Sequence, residues 1–517
     1  MKRISLSVKI IIVILLLGIV HPSCTKLEEE VYSDLTGELF FQDPDNLIYA
    51  FGAAYTNLYW LIGHKYGMVG KEAGTDLLIV PQRGGDWFDG GEWHRYHRQT
   101  WTADEGYVSF WWNICYEGIN KCNQLIDQFK GIDSETAPIA IAELRGLRAL
   151  YYYWLIDLYG NVPIVDRFDY PADYKPVTNS RLEVFTFIEK ELKESMPLLS
   201  KEAGLPVYGR INYYTASMIL AKLYLNAETF IGTPRYQDAL NYCDSIMIPN
   251  VYQLEADFFN NFIGNATNSR EHILGLPFDQ VYAQGFEVHL FTLHYSLQSK
   301  FGIASSTWNG ICAQEAFFNM FDSTDLRRNG LLFGKQYDAQ GVQITDPSYE
   351  KFDPQNPTKP RDPDGAGLNL TPNVNMLEPN CLRQCGARIA KFPFISGSDR
   401  YMSNDFPIFR YADVMLMKAE LLLRTGGDAG EAADLVNQVR ERAGIDPLNT
   451  VTLEDILAER ARELYAEGHR RSDMIRFGTY TESRWEKPDV SPDYVKLWPV
   501  PAAAIKANPN LSQNTGY

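Results

Sequence analysis

Between Gln82 and Trp101 the chain reads QRGGDWFDGGEWHRYHRQTW, a stretch that concentrates aromatic rings and hydrogen-bonding groups. Trp87, Phe88, Trp93, Tyr96 and Trp101 sit among Arg83, Asp86, Asp89, Glu92 and Arg95, and the glycines keep the backbone open. Rigid rings can pack on the apolar C–H face of a sugar, while Asp, Asn and Arg read its hydroxyls. Such a site needs no nucleophile. A second candidate is Ser305-Ser-Thr-Trp308-Asn309-Gly310, with Tyr282 in another loop. The candidate ligand-binding residues are therefore Arg83, Asp86, Trp87, Trp93, Tyr282, Trp308 and Asn309. Trp87, Trp93 and Trp308 each have a second reading as loop anchors. Trp111 and Trp112 enter a helical pattern and read as core, with Trp101 beside them.

Catalytic signatures are missing: there is no G-x-S-x-G, no G-x-x-x-x-G-K-[ST] and no H-E-x-x-H. No catalytic residue is assigned. Glycoside cleavage, whose acidic pair can lie far apart in sequence, stays as the enzymatic alternative. His94 and His97 are spaced to share a metal ion, but Arg95 and Arg98 between and beside them oppose a cation. Asp362 and Asp364 in RDPDGAG offer oxygen ligands for calcium without EF-hand spacing. No metal is assigned, and bound calcium is the one cofactor left open. A net charge of −17 argues against a nucleic-acid partner, which needs a basic surface.

The elements that must position these groups are mainly helical. From Phe406 to Gly478 three helical patterns follow one another. Ala412, Met415, Leu416, Ala419 and Leu423 mark the first, which Gly426-Gly427 ends. Ala432, Leu435, Val436 and Val439 mark the second, before Gly444. The third opens on a capping-box pattern at Thr452 to Asp455 and runs through Ile456, Leu457, Leu464 and Tyr465. Small residues (Ala412, Ala419, Ala432, Ala433) let the helices approach closely, as in a tetratricopeptide-like stack, although no strict 34-residue repeat is visible. Glu459, Glu463 and Glu467, interleaved with Arg460, Arg470, Arg471 and Arg476, read as a solvated face with ion pairs. Further helical patterns cover 47–61, 110–129, 140–159, 181–199 and 213–229, whereas 63–106 and 231–400 read as loop-rich. Six cysteines lie beyond residue 100. Cys115 and Cys122 read as core, and Cys381 and Cys385, four apart, could bridge.

The N-terminus reads as an export signal. Lys2 and Arg3 precede an apolar run, Ile10 to Val20, that is too short to span a bilayer. His21-Pro22-Ser23-Cys24 comes next and resembles the lipobox of a bacterial lipoprotein, with Cys24 as the acylated residue. Ordinary secretion with Cys24 as a thiol is the alternative.

RYADVMLMKAELLL, VRERAG and ILAERARELYAEGHRRSDMIRFG, with LWPVPAAAIKANPNLSQNTGY at the end, resemble the C-terminal signature of the SusD/RagB family of outer-membrane nutrient-binding lipoproteins. AELRGLRALYYYWLIDLYGNVPIV and Gly209-Arg210-Ile211-Asn212 carry the same resemblance further upstream. It implies one compact SusD-like fold, mainly α, with a tetratricopeptide-like helical-pair scaffold and a large loop-rich insertion. The implied parts are a signal peptide (1–23), a lipid-anchored tether (24–40), an N-terminal helical part (41–230) and a C-terminal part (231–517). The last comprises the loop-rich 231–400 and a helical 405–478. The resemblance also implies a glycan, or a peptide or other nutrient, as ligand, bound by aromatics on loops in the two regions above. The implied partner is a SusC-like TonB-dependent transporter, under a lipid anchor in the outer membrane that faces the cell exterior.

Overall fold

Among the described residues, eleven helices have seven residues or more: α1 (Pro44–Gly63), α2 (Glu92–Arg98), α3 (Gly106–Lys130), α4 (Ala137–Leu158), α5 (Arg181–Ser195), α6 (Tyr213–Leu225), α7 (Tyr236–Met247), α8 (Tyr411–Thr425), α9 (Ala429–Arg442), α10 (Leu453–Leu464) and α11 (Arg470–Arg476). The computed structural model describes residues 44–133, 135–346 and 367–517, and Leu47–Tyr517 form one unit within it. The segment before residue 44, with Cys24, and the Asp362/Asp364 pair lie outside the described residues. No helix among the described residues is long and apolar enough to cross a membrane.

Helix ends are set by local chemistry. Ser180 with Glu183 and Thr452 with Asp455 form reciprocal capping boxes at α5 and α10, and Asn212 and Asp428 cap α6 and α9. Gly426, at φ 68°, stops α8 in the left-handed conformation that a side chain resists. Neighbours in sequence pack as neighbours in space: α3 on α4, α4 on α5, α6 on α7, then α7 on α8 and α8 on both α9 and α10. Ala412, Ala419, Ala432 and Ala433 are buried between α8 and α9, where Met415, Leu416, Val436 and Val439 close around them with Ile456 of α10. Tyr151, Tyr152, Tyr153 and Trp154 of α4 are all core. The result is a mainly helical, pairwise-packed scaffold.

Three boundaries differ from the sequence reading. α7 falls inside the loop-rich stretch that begins at residue 231, because only Ala239, Cys243 and Ile246 of it are buried and so thin a stripe carries little periodicity. Residues 405–410, helical by sequence pattern, form a strand, since a short run buried at every residue has no period to betray it. α2 lies within 63–106, where glycines and charges give the pattern of loops. The two six-residue strands, β1 (His272–Pro277) and β2 (Asp405–Arg410), pair antiparallel with a bulge, aligning Leu276 with Phe406 and Gly275 with Pro407. The loop-rich segment thus leaves the scaffold at β1 and returns at β2, closed at its base by a ribbon.

The charged stripe that begins on α10 and continues into α11 is not solvated. Glu459, Glu463, Glu467, Arg460 and Arg471 are each at most 2% exposed. Glu463 accepts from Arg410, Arg442 and Arg327, the last at 3.0 Å. Arg327 also holds Asp325 at 2.7 Å and Glu459 at 2.6 Å. Arg410 reaches Glu271 at 2.8 Å and Glu467 at 2.7 Å, and Lys391 reaches Glu467 at 2.6 Å. A second cluster joins Lys222 to Asp413, Asp413 to Arg460 (2.7 Å), Arg460 to Asp473 (2.8 Å) and Arg476 to Glu420 (2.7 Å). Spacing alone mistakes the stripe for a solvated face because its partners come from β2, α9 and the loop-rich segment, outside the helix itself. The chain also unwinds between α10 and α11, where the sequence suggests one continuous helix. Glu72 accepts the amides of Ala466 (2.7 Å) and Gly468 (2.8 Å), while Lys391 donates to the carbonyls of Glu463 and Tyr465. The break therefore leaves these groups satisfied.

Burial alone would raise the Glu463 carboxyl, but Arg442, Arg410 and Arg327 outweigh it and hold it far below the ordinary range. Glu271, Glu459, Glu420 and Asp413 are depressed by the same balance. A depressed folded pKa contributes stability that is present above the unfolded value and is lost as pH falls. Thermal melts from neutral to acid pH are therefore expected to show the steepest fall in Tm below about pH 4, where unfolded carboxylates begin to bind protons; a flat profile there would contradict the network. Arg410→Met takes one cationic partner from each of the buried Glu271, Glu463 and Glu467 at once and is expected to cost about 3–5 kcal/mol in a urea titration.

Candidate ligand-binding cleft

The loop 83–91 begins with a tight turn in which Arg83 and Asp86 exchange backbone hydrogen bonds (3.0 and 3.3 Å). Trp87 then adopts φ 62°, a strained conformation for a bulky residue, so its surroundings must over-determine it. They do. Its indole Nε1 donates to the Trp308 carbonyl at 2.7 Å, and its ring packs on Phe291 (5.1 Å) and edge-on to Trp93 (6.3 Å). Gly310 supplies the space, since a Cβ there would meet the Trp87 ring at 2.5 Å.

In front of this pair opens a cleft of about 560 Å³, lined by His64, Lys65, Gly85, Asp86, Trp87, Asp89, Glu287, Tyr295, Thr307, Trp308 and Arg400. Its polar groups are organised in pairs. Tyr295 Oη donates to Asp86 (2.6 Å), Arg400 Nε to Glu287 (2.8 Å) and Lys65 Nζ to Asp89 (3.3 Å), and the Lys65 ammonium lies 5.5 Å from the Trp87 ring centroid. His64 stacks on Phe110 at 4.7 Å, and burial, with Lys65 and Arg400 nearby, pushes its pKa down to about 4, so it is neutral at physiological pH. Burial raises the Glu287 carboxyl despite the bond from Arg400, and burial together with Asp86 raises the Tyr295 hydroxyl. Aromatic surface backed by donors and acceptors in fixed positions suits a ligand with flat apolar faces and a hydroxyl rim.

Of the residues singled out in the sequence, Asp86, Trp87 and Trp308 meet in this cleft. Arg83 does not line it: the side chain is fully buried and donates to the carbonyls of Asn309 (2.9 Å), Leu382 and Cys385 (2.9 Å). Asn309, at φ 52°, is buried as well. Its Oδ1 accepts from Arg388 (2.6 Å) and its Nδ2 donates to the Arg383 carbonyl (3.1 Å). Trp93 is 1% exposed, in α2 behind Trp87, and donates to Asp89 at 3.2 Å. Tyr282 is 93% exposed on a turn closed by Asp279 and Ala283 and is not among the cleft's lining residues. Asp89 belongs to the same aromatic stretch as Trp87. His64, Lys65, Glu287, Tyr295 and Arg400 come singly from other segments, with no motif to mark them.

The remaining chemistry-bearing residues have protein partners. His94 Nδ1 lies 2.8 Å from Glu378, and His97 Nε2 meets the Trp485 carbonyl at 2.7 Å. Among the described residues no group of three His, Cys, Asp or Glu side chains is placed to hold a metal. Cys115 and Cys122 are core, and Cys381 and Cys385 are unbridged thiols packed around Arg83, whose Nη1 is 3.6 Å from Cys381 Sγ.

Comparison with known proteins bears on the same regions. A family model described as "SusD family" matches residues 383–517, and one described as "Starch-binding associating with outer membrane" matches 85–225. The "Starch-binding protein SusD" of Bacteroides thetaiotaomicron is 27% identical over 438 residues, covering 77% of this chain and 76% of that protein. The solved "Surface glycan-binding protein A" of Bacteroides uniformis superposes with a TM-score of 0.73 at 22% identity, covering 91% of this chain and 99% of the other. Its namesake from Bacteroides thetaiotaomicron, in complex with laminarihexaose, gives 0.71 at 21% identity over 91% and 99%. The matched regions carry both the α8–α11 scaffold and the loop that bears Trp87, and the fold is shared along nine-tenths of the chain, so this protein is SusD-like in both matched regions and in its fold.

Proposed function

We propose that this protein captures a glycan at the outer face of the outer membrane and delivers it, uncleaved, to a SusC-like TonB-dependent transporter. The observation that carries the reading is the cleft in which Trp87 and Trp308, fixed to one another by a 2.7 Å hydrogen bond, stand among Asp86, Asp89, Lys65 and Arg400. A rigid aromatic pair loses little entropy on binding, and the surrounding groups can exchange hydrogen bonds with hydroxyls. The starch-binding relative and the laminarihexaose complex support a glycan as the ligand. Asp86, Asp89 and Glu287 are each engaged by a donor (Tyr295, Lys65 and Arg400), which suits carboxylates that accept hydrogen bonds rather than a proton-donating pair. The outer-membrane location is supported by the family description, and acylation of Cys24 would supply the anchor. The transporter is the partner that resemblance to this family implies.

Native affinity electrophoresis in polysaccharide gels, with an assay for new reducing ends, tests the reading. Wild-type protein is expected to be retarded without cleavage. Trp87→Ala and Trp308→Ala should each weaken retention by about 2 kcal/mol, roughly thirtyfold. Tyr282→Ala should leave retention unchanged. Gly310→Ala, by displacing the Trp87 ring, is expected to weaken binding and shift the intrinsic tryptophan fluorescence. New reducing ends would make the protein an enzyme. A failure of any glycan to retard it would move the ligand towards peptides.

A further inference from the structure

The charges in the cleft narrow the ligand class, on the footing that this cleft is the glycan site proposed above. Each cation lining it is already engaged by a carboxylate: Lys65 by Asp89 at 3.3 Å and Arg400 by Glu287 at 2.8 Å. His64 is neutral. Asp86, 48% exposed, has the Tyr295 hydroxyl and a more distant guanidinium, Arg383, at 3.9 Å. Lysine and arginine thus face three carboxylates, a net charge of −1 in a chain that carries −17 overall.

An acidic sugar entering this site must pull Lys65 or Arg400 away from its partner or sit against Asp86. The first choice is costly, because Glu287 is 1% exposed and would be left buried without its cation. The second sets like charges side by side. A neutral hydroxyl meets neither obstacle. It can donate to the free lone pairs of Asp86 and Asp89, and it can accept from Arg400, whose Nε alone holds Glu287 and whose side chain is 58% exposed. Rejection of the wrong ligand is built from the repulsive side as much as from the attractive one. We infer that the cleft is specific for a neutral glycan and discriminates against polymers bearing uronate or sulfate.

The test is a tryptophan-fluorescence titration of the full mature protein with laminarin, starch and polygalacturonate, each at low and at high salt. At least one neutral polymer is expected to bind about tenfold or more tighter than polygalacturonate, with affinity insensitive to salt. Asp86→Asn with Asp89→Asn, which removes two negative charges and frees Lys65, should shift the preference several-fold towards polygalacturonate. Tighter binding of polygalacturonate by the wild type, weakened by salt, would overturn this inference and leave the glycan reading standing. Binding of none of the three, with none of a wider glycan panel either, would remove the glycan reading and this inference with it.

Discussion

Glu463 can be buried only because three arginines reach it from three places. Arg410 ends strand β2, Arg442 ends helix α9, and Arg327 comes from the loop-rich segment. Taking charges out of water costs several kcal/mol per ion, and their mutual attraction repays it only when every partner is present. The scaffold therefore cannot close around α10 unless the segment between β1 and β2 is seated on it, bringing Arg327 to Glu459 and Glu463 and Lys391 to Glu467. Replacing such a network by apolar packing can be neutral in energy, whereas removing one member is expensive. Its consequence is registry: the loop-rich segment has one place to sit.

That seat determines the cleft. Arg83, from the N-terminal half, and Arg388, from the loop-rich segment, are both buried and converge on Asn309. Leu78–Ile79 pairs with Cys312–Ala313 a few residues beyond, tying the same two parts together. Trp308 is thereby fixed relative to the loop that carries Trp87, and the hydrogen bond between them completes the platform. The site is preorganised by buried polar groups that never touch the ligand, which reduces the ordering a bound glycan must bring about.

The helical scaffold is legible in the sequence because its apolar positions recur every three or four residues and its caps are local. The Ala412, Ala419, Ala432 and Ala433 contact and the Thr452 capping box need only neighbouring residues to be read. The α10 glutamates are not legible, since a buried charge and a solvated one have the same spacing in sequence and differ only in what covers them. In the site, composition locates the loop around Asp86 and Trp87 and the turn at Trp308, yet it cannot separate a side chain facing the cleft from one supporting it. Trp93 and Trp87 have the same glycine-and-charge context, but one is helical core and the other lines the cleft. Arg83 and Asn309 belong to this supporting class. Tyr295, Glu287 and Arg400 reach the cleft only through tertiary packing.

The most direct test of the central claim is a crystal structure of the protein soaked with a neutral oligosaccharide that it retains in solution. A sugar ring is expected against the Trp87–Trp308 pair, with hydroxyls on Asp86 and Asp89 and with the Lys65–Asp89 and Arg400–Glu287 pairs intact. A sugar bound elsewhere, with this cleft empty, would contradict that claim.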